Sequence, residues 1–127
     1  MSQVLMQPTT TPEKGVVLTK ALLRAAERLG LTGARLASVI GVSAPTISRM
    51  SKGAWTLEEG TKPYELAVLF VRLFRSLDAI TGGDERASKA WFKGPNTALG
   101  QAPAEAIGSV EGLVRVVGYL DSRRAPL

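Results

Sequence analysis

The sequence predicts an all-α protein: an N-terminal helix-turn-helix bundle joined by a long helix to a small helical C-terminal domain. Three observations predict it. Apolar residues recur at a helical period through Leu18, Leu22, Ala25, Ala26 and Leu29, through Leu66, Phe70, Leu73, Leu77 and Ile80, and through Val110, Leu113, Val114, Val117 and Leu120. Glycines end these and the shorter segments between them, at Gly30, Gly41, Gly53 and Gly82, where a left-handed C-cap costs glycine nothing sterically. Small polar side chains able to cap a helix stand before the starts, at Thr32, Ser43, Asp84 and Ser109.

Composition narrows the chemistry. A chain of 127 residues suits one compact domain, or two small ones sharing a core, and 45% hydrophobic with 21% charged residues is ordinary for a globular protein. Without cysteine there is neither a disulfide framework nor a thiolate metal site, and without histidine the commonest metal ligand and general base are missing. The segment GGDERASK lacks the spacing of a phosphate-cradling loop, and the carboxylates are scattered. The expectation is a protein without enzymatic activity, cofactor or metal. No basic start followed by an apolar run opens the chain, and Arg72 and Arg75 interrupt its longest apolar stretch, so a cytoplasmic protein without a membrane span is expected.

The elements follow in order. Residues 1–15, with three threonines, two prolines and no period, read as a flexible arm. Residues 16–61 read as the helix-turn-helix domain. Its first helix runs from Val16 to Leu29, with Lys20, Arg24, Glu27 and Arg28 on the polar face. A second starts at Thr32 and buries Leu36, Ala37 and Ile40, and a third follows Ser43, with Pro45 in its first turn and Ile47 and Met50 inward. Trp55 reads as a core plug in the linker. Residues 62–83 read as a connecting helix, and a second apolar row of Tyr64, Ala67, Val71 and Phe74 makes its stripe wide enough to be covered on more than one side, part of it as a dimer face. Residues 84–127 read as a compact unit. A helix presents Ala87, Trp91 and Phe92, a Gly94-Pro95-Asn96 turn follows, then a single turn from Pro103 to Ile107, a final helix, and a basic tail from Arg123.

Ala37, Gly41 and the apolar residues at 36, 40, 42, 47 and 50 supply what a helix-turn-helix needs: close approach, a sharp turn and a locked crossing angle. Residues 1–53 carry seven basic and two acidic side chains, so the whole excess of +5 lies in that half and aims it at a polyanion. Through SAPTISRMSKG the segment resembles the Xre (Cro/phage-repressor-like) helix-turn-helix family. Were the third helix to enter a major groove, Ser43, Ala44, Thr46 and Arg49 would be its outward or N-terminal residues. Arg49 would pair with guanine or phosphate, Ser43 and Thr46 with phosphate or base edges, and Lys52 with phosphate. The glutamine common near the start of such helices is absent, so specificity calls for a dimer or larger assembly on repeated half-sites.

The run AWFKGPNTALGQAPAEAIGSVEGLVRVVGYL is similar to the C-terminal toxin-binding domain of the Xre/MbcA/ParS antitoxins, which are encoded with RES-domain toxins. The matching features are Trp91 with an aromatic neighbour, Pro95-Asn96, Leu99-Gly100, Pro103 with Glu105, Glu111-Gly112-Leu113, and an apolar helix ending at Leu120. The resemblance implies an antitoxin that silences an NAD-consuming toxin and represses its own operon, as a homodimer or a toxin–antitoxin hetero-oligomer on operator DNA. It implies a toxin-binding face among Trp91, Pro95, Asn96, Leu99, Leu113, Leu120, Arg123, Arg124 and Leu127. By residue type Trp91, Leu99, Leu113 and Leu120 read equally as core. The tail reads either as a solvated end or as an inhibitor, its Leu127 carboxylate in a phosphate position of the toxin and Arg123 and Arg124 on acidic residues at the rim. The rival reading is a stand-alone dimeric repressor that uses its C-terminal half only to dimerise.

Overall fold

The structure, a computed structural model, describes residues 13–124. Residues 1–12 of the expected arm, and Leu127 with the two residues before it, lie outside the described residues. The described part is helical: α1 Lys14–Leu29, α2 Gly33–Ile40, α3 Ala44–Ser51, α4 Lys62–Thr81, α5 Glu85–Lys93, α6 Pro103–Ala106 and α7 Val110–Arg124. Local chemistry sets most of these ends. Thr32, Ser43, Thr61 and Asp84 each accept the N–H of the residue three places on, so each satisfies a helix-start donor that has no carbonyl partner. Gly30, Gly41 and Gly82 close α1, α2 and α4 in the left-handed conformation.

α4 is the spine. It packs against α1, α2, α5 and α7, and Phe70, Leu73 and Leu77 along it are buried. The wide stripe read from the sequence is therefore covered on several sides by one chain. Its row stops short of the expected end, because Ile80 is 44% exposed. Two polar clusters fasten the spine to its neighbours. Ser76, fully buried, donates to Asp121 at 2.9 Å and accepts from Arg124 at 3.0 Å, while Arg72 pairs with the other Asp121 oxygen at 2.6 Å. Arg28 of α1 lies 5.7 Å from the Phe74 ring centroid, within 3.8 Å of Asp78 and 3.4 Å of Glu85.

α1 begins two residues before the expected start, and the reason lies in the loop that follows α3. Position 15, inside α1, has to be glycine because the carbonyl of Leu57 occupies the space a Cβ would need. Leu57, rather than Trp55, is the buried plug of the loop, and Trp55 is only half-buried. Thr19 completes the joint: its hydroxyl donates to the Gly15 carbonyl at 2.6 Å and accepts the Leu57 N–H at 2.9 Å. Thr19→Val keeps the shape and removes the acceptor, which leaves a buried N–H unsatisfied. The expected loss is about 1–3 kcal/mol, measurable by urea unfolding. A variant as stable as the parent would show that water replaces the hydroxyl.

In the C-terminal half α6 and α7 meet at very short range. Gly112 faces the carbonyl of Ala106 so closely that no side chain fits there, and Ser109 caps α7 by accepting the Gly112 N–H at 3.0 Å. This contact turns α7 about its axis. Gly112, Leu113, Val116, Val117 and Leu120 face inward, whereas Val110 and Val114, expected in the core, are at least half exposed. Of the residues α5 presents, Ala87 is exposed and Phe92 buried, and Ser88 is buried as well, its hydroxyl 2.8 Å from that of Thr81. α7 also runs through Arg123 and Arg124, so these two residues belong to a helix instead of a tail.

Candidate functional site: the recognition helix and the C-terminal face

α3 is held chiefly by α2, against which it buries Thr46, Ile47 and Met50. The opposite face is open to solvent and presents Ser43, Ala44, Pro45, Ser48, Arg49 and Lys52. Thr46, expected to face outward, is only 7% exposed. The cap at Ser43 turns it inward, where its hydroxyl lies 2.8 Å from the Ser43 hydroxyl and accepts from Arg49 at 3.2 Å. Thr46 is thus a support that lays the Arg49 guanidinium toward the start of α3. Ser48, which the sequence reading passed over, stands on the open face one turn after Ala44 and one before Lys52, a spacing visible in the sequence.

The electrostatics of this face come from two features. No carboxylate occurs between Glu27 and Glu58, so nothing acidic in the helix-turn-helix sequence opposes a phosphate. The positive charge itself is thinner than the half-chain count implied. Of the seven basic residues among the first 53, only Arg49 and Lys52 lie on or beside α3. Arg35 of α2 donates instead to the Ala104 carbonyl of α6, Arg28 is held among Asp78 and Glu85, and Lys20 and Arg24 line a groove between α1 and α4. A count along the chain cannot show which way a helix turns its cations.

The residues expected to bind a toxin divide in two. Leu99, Leu113 and Leu120 are buried to 5% exposure or less, so they form core and offer a partner no surface. Asn96 is occupied by its own turn, with Oδ1 accepting the Leu99 N–H at 3.0 Å. Trp91, Pro95 and Arg123 are accessible, and Arg124 is exposed while bonded to Ser76. The accessible group is not random. Trp91 stacks on Tyr119 with ring centroids 6.2 Å apart and planes 13° from parallel, and the Arg123 guanidinium lies 5.1 Å from the Tyr119 ring centroid. Tyr119 was missed by the sequence reading. Its place one helical turn before Arg123 is visible in the sequence, but its meeting with Trp91 depends on how α5 packs near α7. Aromatic and arginine side chains of this kind dominate binding energy where a partner desolvates them.

Among the described residues no helix is long and apolar enough to cross a membrane, and no three metal-type side chains cluster. Two family models match the chain. Residues 11–72 match the antitoxin Xre-like helix-turn-helix domain, and residues 76–125 match the antitoxin Xre/MbcA/ParS C-terminal toxin-binding domain. No curated protein matches it. A helix-turn-helix and a toxin-binding domain in one polypeptide define a DNA-binding antitoxin. The chain belongs to the Xre/MbcA/ParS-type antitoxins, and the boundary between its two matches falls within α4.

Proposed function

We propose that this antitoxin inhibits a RES-domain, NAD-degrading toxin by covering its active site, and represses its own operon by placing α3 in the major groove. The observation that carries the reading is the order of the parts. A helix-turn-helix with an open, carboxylate-free recognition face and a toxin-binding domain with a half-buried Trp91–Tyr119 stack beside the exposed Arg123 share one spine. On the DNA side Arg49 reads guanine or phosphate, Lys52 touches phosphate, and Ser43 and Ser48 supply hydroxyl contacts near Ala44. Two cations are few for one site, so the repressing form is a homodimer or a toxin–antitoxin hetero-oligomer that spans repeated half-sites. On the toxin side the contacts are Trp91, Tyr119, Arg123 and the Pro95 turn, with Leu99, Leu113 and Leu120 shaping that surface from beneath.

Co-expression with the adjacent gene, scored for growth rescue, tests the toxin half. A neighbour whose product is harmless alone would refute it and leave a stand-alone repressor. For the DNA half, Arg49→Ala should weaken operator binding by about 1–3 kcal/mol, roughly ten- to a hundredfold in Kd. Titration across salt concentrations reads the effect, and an operator affinity unmoved by Arg49→Ala would remove α3 as the reading element.

A further inference from the structure

α1 and α4 lie side by side in the same direction, Val17 beside Val68 at one end and Arg24 beside Asp78 at the other. The channel between them forms a groove of about 600 Å³, which shares Ala21, Val71 and Arg75 with a second hollow further along and Val68 with a third at the start of α4. Its floor is apolar. Val17 and Val68 are two of the large hydrophobic side chains most exposed in the structure, at 51% and 44%, and Leu18, Ala21, Val71 and Phe74 continue the strip. The rim is mostly basic, with Lys20, Arg24, Arg72, Arg75 and Arg124, and its two carboxylates, Asp78 and Glu65, are paired with Arg28 and Lys62. Arg72 is matched by Asp121 and Arg124 by Ser76, but Lys20, Arg24 and Arg75 have no ion-pair partner among the described residues.

We propose that this groove docks an acidic amphipathic helix of a partner protein, at a surface separate from both α3 and the Trp91 column. From Tyr64 to Asp78 the α4 side of the channel runs about 20 Å, the length of a helix of roughly four turns. Such a helix covers the valine strip with its apolar face and sets carboxylates against the unpaired cations on both rims. The same charges disfavour a second copy of this chain, since a two-fold contact through the groove would set one cationic rim against the same rim of the other copy. They do not favour DNA here either: a phosphate backbone matches the rim but leaves the concave apolar floor uncovered, and no residue of α2 or α3 lines the groove.

The test is a titration of the purified full chain with two synthetic amphipathic peptides of about four turns, identical on their leucine face and carrying either glutamates or lysines opposite. The glutamate peptide should bind at least about tenfold more tightly, and Lys20→Glu combined with Arg75→Glu should reverse the preference, with circular dichroism confirming an intact fold. Equal binding of the two peptides, or a preference unchanged in the double variant, would overturn the proposal. So would a dimer in sedimentation equilibrium that the double variant dissociates, or a duplex DNA that displaces the glutamate peptide from the groove. Removing residues 1–12 and 125–127 should leave the peptide affinity within about threefold. A gain beyond about tenfold would make the chain's own ends the occupant, because a tethered competitor acts at a high effective concentration.

Discussion

Gly112→Ala is expected to lower the melting temperature by roughly 10 °C, whereas Gly118→Ala in the same helix should raise it slightly. The two glycines differ in what stands opposite. At Gly112 an added methyl overlaps the Ala106 carbonyl, a backbone atom that cannot rotate away, while at Gly118 nothing lies within 4 Å. To admit the methyl, α6 must retreat from α7, and with it go Ala106 and Ile107, both almost fully buried. Overpacking of this kind costs about 1–3 kcal/mol, and a rigid neighbour places it at the upper end. Gly118 carries only the entropic penalty of glycine in a helix, so alanine there should add about 0.5–1 kcal/mol. Thermal unfolding of the pair separates steric from propensity effects, and equal melting temperatures would refute the close approach. The joint lies within the stretch that matches the toxin-binding domain, so Gly112→Ala should also weaken neutralisation in a growth-rescue assay.

Gly112 shows where the sequence stops being legible. The helix-turn-helix could be read because its determinants are local: Thr32 and Ser43 cap within three residues, and Gly30 and Gly41 each close a helix whose apolar period had just ended. In α7 the valines at 110, 114, 116 and 117 fit two different faces, and the choice between them is made by a carbonyl on another helix. Leu57 was overlooked for a similar reason, since a loop has no period and the acceptor of its N–H sits far back in the chain at Thr19. Gly15 looked like the end of an arm and is instead a close approach within a helix.

The candidate faces were legible to different depths. Spacing placed Arg49 and Lys52 at the open side of α3, yet placed Thr46 there too, because nothing in the sequence says that the Ser43 hydroxyl draws it inward. In the C-terminal unit the motif residues Leu99, Leu113 and Leu120 are buried. Their part is to fix the orientation of α5 and α7, and so the geometry of Trp91, Tyr119 and Arg123 at the surface. Charge was the least legible property. Arg35 serves the contact between α2 and α6, and Arg28 the contact of α1 with α4 and α5, so cations counted toward DNA act within the fold.

Phe70→Ala should be the most damaging single truncation on the spine, at about 3–5 kcal/mol. Its ring is fully buried in the middle of α4, the helix that packs against α1 and α2 on the DNA-binding side and against α5 and α7 on the toxin-binding side. The cavity left behind cannot collapse without moving one of these helices, so the loss reaches both halves. Ile80→Ala, two turns and more along the same apolar row, should cost no more than about 0.5 kcal/mol because Ile80 is 44% exposed. A shared spine also makes a claim about cooperativity. Calorimetry should show one transition for the parent chain, its calorimetric and van't Hoff enthalpies equal, and Phe70→Ala should move that transition down as a unit. Two separate transitions, with only one shifted by Phe70→Ala, would mean that α4 belongs to one half and merely touches the other. In that case DNA binding and toxin binding would not share a stability, and a truncation at position 70 would abolish one while sparing the other.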